Sequence, residues 1–563
     1  VAYKSVNFFK LHTYKVIVPI NDENFTGTLS FGKGSIPRLS FDEFSKELSL
    51  NLKNINSGQD NVICRDRDSN ASFTLHAVDV RDLTIFCNYV SLGNGELNFD
   101  TLEIVFTGLS TWFEQVQPFK NDGDIISCDI SIDSFSEEFI FKGVSYSIEN
   151  SRRIDFESEG FLKTSVITEY SIILKKNDGL LGLNEANELC HEIRNFFSLL
   201  VGVFISIQSV NTYLSSSSAT FKSLYFPTAL DSQEPLSDKF HAFKSYIDIV
   251  RDDSWGCIFK NYFKKDSFRE IWNRLPTSYE YRGVWEYQIL SRIIVLEMFA
   301  SHTTPSKTGY MDENTFNQLK TKMKETLDSF ESTVNLSDID SEVFGLIKER
   351  IMGLRRSFER TFQGKYRFLM AKMNEDLKDV IGFTDEDFKL IKRFRDDIAH
   401  GNKYIKVSDD NNITHETQVS DRLLVLLMCF CYLEMGFTVK QVITSLTNFR
   451  CPFIRNANIN TRSLDKFNES ARFIELSSQP KTSIAHYGIF LAIKYASHDN
   501  SYSIDESVSN KIKSDFFKSG AGSLEDFVKG VVDYECELEI LHKVYLKCND
   551  SETIHHGSIL INI

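Results

Sequence analysis

Through roughly the first 180 residues, apolar side chains alternate with polar ones in short runs, the period of half-buried strands. Phe25 to Gly34 closes on a Gly-Lys-Gly turn, and Leu83 to Val90 is β-branched and aromatic. Gly93-Asn94-Gly95 marks a turn before Leu102 to Phe106. Ile126, Cys128, Ile130 and Ile132 alternate strictly with polar residues, and Thr164 to Lys175 reads as one long strand. A helix over Asn184 to Leu200 interrupts the strands, carrying Leu189, Ile193, Phe196 and Phe197; Val203 to Val210 and Thr220 to Phe226 return to strand. Many strands joined by short turns predict a β-rich sandwich or barrel-like module over residues 1–230. The polar stretch Asp231-Ser232-Gln233-Glu234-Pro235 reads as its boundary.

From residue 236 the apolar spacing changes to three and four. Phe316, Leu319, Met323, Leu327 and Phe330 form a helical stripe introduced by Asp312 as N-cap. Glu342 to Leu377 reads as one long helix. A further helix opens at Thr384, with Asp385, Glu386 and Asp387 in its first turn, where carboxylates suit free amides and the helix dipole. Its stripe is Phe388, Ile391, Phe394 and Ile398, and Gly401 stands at the C′ position. Ile405 to Thr417 reads as a polar loop, and Leu423 to Leu433, apolar nearly all round, as a buried central helix. Residues 461–563 read as a mostly helical C-terminal extension packing on the helical domain. They include a helix capped by Ser523 and Asp526 and a closing strand over Ser558 to Ile563. The expected fold class is α+β multidomain: a β-rich module over 1–230, an all-α bundle over 236–460, and the extension.

The chain holds 563 residues, 63 basic and 78 acidic, for a net charge of −15. It is no general polyanion binder, so any nucleic-acid site must be a local basic patch. The 47 phenylalanines are read as core packing. Ten scattered cysteines without a CxxC pair read as free thiols of a reducing cytoplasm. The start of the chain shows no signal-peptide pattern, and the longest apolar run falls well short of the ~20 residues that span a bilayer. The expectation is a cytoplasmic protein with no membrane partner.

The stretch that bears on chemistry is Arg395-Asp396-Asp397-Ile398-Ala399-His400-Gly401, at the end of a predicted helix. Of the 12 histidines, only His400 has an arginine five to seven positions earlier. A neutral imidazole can take the proton of a ribose 2′-hydroxyl or, once protonated, give one to a leaving 5′-oxygen. A guanidinium can hold two phosphate oxygens and stabilise the charge that builds on them. Asp396, four residues before His400, is expected to orient the imidazole, with pairing to a neighbouring cation as the alternative. Between Lys348 and Lys372 eight basic residues face only Glu349 and Glu359. Within that patch Arg355 and Arg356 are candidate RNA contacts, joined by Lys392, Arg393 and Lys403 around the motif. No phosphate-binding loop, HExxH or Gly-x-Ser-x-Gly elbow is present.

Arg395, the acidic Asp396, His400 and Gly401 at a helix end, followed by a long apolar helix, resemble the motif of the HEPN ribonuclease family. The layout, a β-rich half before the helices, resembles HEPN proteins of bacterial antiphage defence. The resemblance implies a metal-independent endoribonuclease needing no cofactor, with Arg395 and His400 catalytic and Asp396 auxiliary. It leaves 2′,3′-cyclic phosphate and 5′-hydroxyl ends. The implied substrate is host RNA, transfer RNA among the candidates, cut to halt growth of an infected cell. The implied partners are a phage-derived protein trigger and a second copy of the chain, forming a homodimer or higher oligomer through the helical domain. The rival reading is a non-catalytic helical scaffold that binds a protein partner or a nucleotide.

Overall fold

The structure is a computed structural model that describes all of the chain except residues 1–4, 22, 44, 56–57, 59, 70, 94–96, 115–118, 123–124, 129–133, 160–162, 217–220, 231–240, 281–284, 306, 335–337, 355–356, 401–409, 480–483, 489, 533–535 and 550. The chain forms two compact units: residues 1–374 with 383–458, and residues 375–382 with 459–563. Among the described residues no helix is long and apolar enough to cross a membrane, and the cysteines are unpaired.

The first unit begins with strands β1 (His12–Ile20), β2 (Glu23–Gly32), β3 (Ser35–Phe41), β4 (Val62–Asp66), β5 (Ser72–Arg81) and β6 (Thr84–Leu92). They pair in the ring β6-β3-β2-β1-β4-β5 and back to β6, a closed antiparallel barrel. The alternation of sequence is the alternation of the wall. Val16, Val18, Leu29, Leu39 and Cys64 are buried, while their strand neighbours are more exposed. The Gly-Lys-Gly turn joins β2 to β3 with positive φ at Lys33 (52°) and Gly34 (71°), the hand that matches strand twist. Closure itself rests on a short pairing, Val16 with Asp66 and Ile17 with Arg65.

Beyond β6 the sheet continues through β7 (Thr101–Phe106), β10 (Ser136–Phe141), β11 (Val144–Glu159), β12 (Lys163–Lys176), β13 (Ile207–Tyr213) and β14 (Lys222–Tyr225), in the order β6-β14-β13-β7-β12-β11-β10. Strands β8 (Phe119–Asp122) and β9 (Ile125–Cys128) pair only with each other; Ile130 and Ile132 lie outside the described residues. Helix Leu183–Val201 covers the sheet and is buried along its last nine residues.

The expected boundary at 231–235 lies outside the described residues, but it does not separate two compact bodies. The reason is a shared aromatic core. Phe135 of the sheet region stacks on Trp255 at 4.4 Å, and Phe196 on Phe259 at 4.4 Å. Tyr432 of the central helix, Asp410–Met435, donates a hydrogen bond to the Leu200 carbonyl at 2.7 Å. Many of the phenylalanines are therefore the seam between β and α layers. The central helix is buried from Leu423 to Tyr432, as its all-round apolarity predicts. It begins at Asp410, so residues 410–417 are helical and not loop; no Gly or Pro interrupts them, and helix propagates from the buried end.

The single helix expected over Glu342–Leu377 is broken. Helix Asp338–Met352 ends at Gly353, which precedes β16 (Ser357–Glu359), and helix Phe362–Lys372 restarts under Thr361, whose hydroxyl caps Gly364. Strand β16 pairs with β15 (Lys307–Tyr310).

The second unit corrects the expectation of a mostly helical extension. It holds a mixed sheet of β17 (Arg472–Glu475), β18 (Leu491–Ala496), β19 (Ser501–Ile504), β20 (Glu537–Cys548) and β21 (Ser551–Asn562), in the order β17-β20-β21-β18-β19. Helices Glu506–Asp515 and Leu524–Val531 pack on one face with Ala492, Ile559 and Ile561. The expected cap is present: the Ser523 hydroxyl accepts from the Asp526 amide. The expected closing strand is the end of the longer β21.

Candidate active site

Helix Asp385–Ala399 carries the Arg-x4-His motif. At its start, Thr384 and Asp387 form a capping box, the Thr384 hydroxyl accepting from the Asp387 amide at 3.1 Å and the Asp387 carboxylate from the Thr384 amide at 2.9 Å. That carboxylate is buried and also pairs with Arg422 of the central helix at 2.8 Å. Phe388, Ile391 and Phe394 point into the core. Tyr366 stacks on Phe388 at 4.0 Å, and the edge of Trp285 meets Phe394 at 5.3 Å. The helix is thus anchored by its first three turns, and its last turn is presented outward.

His400 is the C-cap residue (φ −93°, ψ 3°), and its amide donates to the Asp396 carbonyl at 3.1 Å. Its side chain is exposed and makes no hydrogen bond among the described residues. At about 100° per residue, His400 falls on the outer face with Lys389, Lys392, Arg393 and Asp396, and Arg395 lies at the edge of the apolar stripe. The Arg395 guanidinium is 36% exposed. One terminal nitrogen, Nη2, donates to Glu297 Oε1 at 3.1 Å and lies 3.0 Å from Oε2, and the group stands 5.7 Å from the centre of the Phe362 ring. Glu297 comes from helix Trp285–Thr303, 98 residues earlier in the chain.

For Asp396 the structure shows the alternative contact, with a neighbouring cation. Its carboxylate lies 3.6 Å from Arg395 Nη1, and among the described residues it makes no hydrogen bond to the His400 ring. The carboxylate lies instead against the adjoining guanidinium.

The basic patch also differs from expectation. Lys392 and Arg393 are exposed and make no ion pair among the described residues, and Lys389 is paired with Glu386 at 2.6 Å. Lys403, Arg355 and Arg356 lie outside the described residues, as does Gly401. The remaining bases of Lys348–Lys372 are scattered over several elements and mostly engaged. Lys348 binds Asp328 and Glu331, Lys365 binds the Ser301 hydroxyl, and Arg360 and Lys372 lie over the Phe368 ring.

Glu297 is the residue that sequence reasoning missed. Its one signal was a lone carboxylate inside the run Val295-Leu296-Glu297-Met298-Phe299, where an unpaired charge is costly. Together the site offers a free imidazole and a guanidinium held from one side, on the last turn of a single helix. That pair can move a proton and bind a phosphodiester. The chain matches no family model, no curated protein and no solved structure.

Proposed function

We propose that the protein is a metal-independent endoribonuclease of the HEPN type, acting in the cytoplasm in antiphage defence. The observation that carries the reading is the exposed His400 imidazole at the end of the helix that also carries the half-exposed Arg395 guanidinium. In this reaction His400 takes the proton of the ribose 2′-hydroxyl, and the 2′-oxygen attacks phosphorus. The bond from phosphorus to the 5′-oxygen breaks, and that oxygen takes a proton from an imidazolium. Arg395 stabilises the negative charge on the non-bridging oxygens. Glu297 holds Nη2 and Asp396 stands 3.6 Å from Nη1, a half-exposed pair that phosphate displaces as it binds the guanidinium, so Glu297 is a positioning residue. One motif supplies one imidazole, so a second copy of the chain supplies the acid facing the base.

Host RNA, with transfer RNA as the leading candidate, is the substrate class, and the N-terminal barrel module senses a phage-derived protein. Those two assignments rest on the resemblance of motif and layout alone. The rival, a non-catalytic scaffold, draws on the Glu297 pair, which already neutralises the guanidinium. The two readings separate in one experiment. The protein, alone and after co-expression with phage proteins, is incubated with total RNA in EDTA, and the fragment ends are mapped. Cyclic-phosphate ends that vanish in His400→Ala and Arg395→Ala support the nuclease. Cleavage surviving both substitutions overturns the assignment of Arg395 and His400, and no cleavage under either condition supports the scaffold.

A further inference from the structure

The long sheet of the first unit ends at β10, which pairs with β11 on one side and, among the described residues, with nothing on the other. Helix Trp255–Lys264 runs beside this strand in the same direction. Phe135, just before β10, stacks on Trp255; further along, Phe139 stacks on Phe263 at 4.2 Å, and Phe141 meets the same ring edge-on at 6.0 Å. The apolar side of the helix thus covers the inner face of the strand. Beside that contact lies a cavity of about 660 Å³, lined by Glu138, Phe139 and Ile140 of the strand and by Gly256, Lys260 and Lys264 of the helix. Successive side chains of a strand point to opposite faces, so three consecutive residues line one cavity only where the strand presents its backbone edge. Gly256, Lys260 and Lys264 are four apart and share one side of the helix. A Cβ at Gly256 would fall 2.9 Å from Glu137 Oε2, so the helix approaches the strand closely there.

We propose that this groove takes an extended, acidic segment of a partner protein as an additional strand on β10. The backbone supplies the frame: β10 offers about 20 Å of open edge to main-chain hydrogen bonds. Charge supplies the choice of occupant. Lys260 and Lys264 are exposed and make no hydrogen bond or ion pair among the described residues. The other charges at the groove are committed or face elsewhere. Lys142 is held by Glu188 and Asp266 by Arg269, and Glu138 stands with Ile140 on the outer face of β10, away from Phe139 and Phe141. The two lysines are ~6 Å apart along the helix, and alternate residues of a strand are ~6.8 Å apart. An added strand therefore brings carboxylates at two successive inward positions opposite the two ammonium groups. Its outward positions lie beside Ile140, which is 64% exposed, and favour β-branched side chains. The site stands on this edge and this helix and does not rest on the ribonuclease reading.

Fluorescence anisotropy of a labelled peptide of about seven residues alternating valine with glutamate, titrated with the full chain, tests the proposal. The expected Kd is on the order of tens of micromolar. Lys260→Glu with Lys264→Glu weakens binding more than about tenfold, and that double variant instead accepts a peptide alternating valine with lysine. Both lysines are exposed, so the circular-dichroism spectrum stays that of the wild type. An added strand turns the amides of alternate residues to its partner. N-methylation of one set, the valines or the glutamates, therefore abolishes binding, and N-methylation of the other set is tolerated. Saturation with the peptide slows deuterium exchange over Ser136–Phe141. No binding at about 1 mM peptide overturns the proposal. So does binding indifferent to the lysine reversals, a charge swap that is not accepted, tolerance of both methylated sets, or equal binding of a single-stranded RNA of the same charge. His400→Ala binds the peptide as the wild type does, so a failure of RNA cleavage leaves this test intact.

Discussion

The two ends of helix Asp385–Ala399 each hold an arginine–carboxylate pair, and the pairs are of different kinds. At the start, Asp387 and Arg422 are 6% and 14% exposed, and Asp387 also accepts the amide of its own cap. At the end, Glu297 and Arg395 are 34% and 36% exposed, and the guanidinium keeps donors to spare. A buried pair whose carboxylate takes both the cap amide and the guanidinium on one oxygen can only be broken at a cost; it fixes where the helix lies. A half-open pair costs little to rearrange, and it leaves a cation at the surface beside a free imidazole. One end locates the helix and the other is left free to bind something.

The largest expected effect is at the open end. His400→Ala lowers RNA cleavage by about a thousandfold, the scale of lost general acid–base catalysis. It leaves stability within about 0.5 kcal/mol, because the side chain is exposed. Initial rates with a short labelled RNA, set beside urea unfolding, check both halves. An active His400→Ala protein would erase the distinction between the two ends. Asp387→Ala reverses the pattern. It strands the Arg422 cation in the core and removes an acceptor from the cap, at about 3–5 kcal/mol. The denaturation midpoint falls, and activity per folded molecule is kept.

This division also marks what the sequence could and could not disclose. Thr384, the acidic first turn and the Phe388-Ile391-Phe394 stripe are local signals, and the helix begins where they place it. The central helix and the Asp312 cap were legible for the same reason. Barrel closure was not, because it hangs on Val16 with Asp66 and Ile17 with Arg65, a pairing across fifty residues of chain that alternation cannot specify. Nor was the C-terminal sheet, whose parallel pairs join Arg472 to Val544 and Leu491 to Ser558. The polar stretch at 231–235 looked like a domain edge because composition reports the local chain, whereas the Phe135–Trp255 stack across it is a tertiary fact. The partner of Arg395 was hidden likewise: across a separation of 98 residues nothing marks which carboxylate will meet it.

A second histidine sharpens the contrast between buried and open sites. His76, 3% exposed in the barrel wall, contacts the Ser91 hydroxyl at 2.8 Å and the Asn61 amide oxygen at 3.1 Å. Burial, aided by the nearby Lys222 charge, lowers its pKa from 6.5 to about 4. The unfolded chain therefore takes up a proton near pH 6.5 that the folded barrel refuses until about pH 4. Stability from this group is complete above 6.5 and is withdrawn as pH falls through that window, by roughly 3 kcal/mol at ~1.4 kcal/mol per pH unit. His76→Gln removes that slope. Melting temperatures of the two proteins between pH 7.5 and 5 should converge as the solution is acidified, about a few degrees apart at the start. Parallel curves would place the acid sensitivity elsewhere.

The smallest effect discriminates best between the two readings of the open end. Glu297→Gln keeps the shape of the side chain and one acceptor while removing its charge. A half-exposed pair contributes less than about 1 kcal/mol, so the melting temperature barely moves. If Glu297 holds the guanidinium in the attitude that meets a phosphate, kcat falls about tenfold and KM stays near its wild-type value, because an interaction made in the transition state has been misaligned. If Glu297 instead only blocks Arg395, removing its charge frees a cation for RNA, and both affinity and rate rise. The sign of the change in kcat decides between a carboxylate that aims the arginine and one that covers it. Salt titration of KM supplies the second axis, since a newly unpaired guanidinium adds one phosphate contact and steepens the dependence by about one counterion.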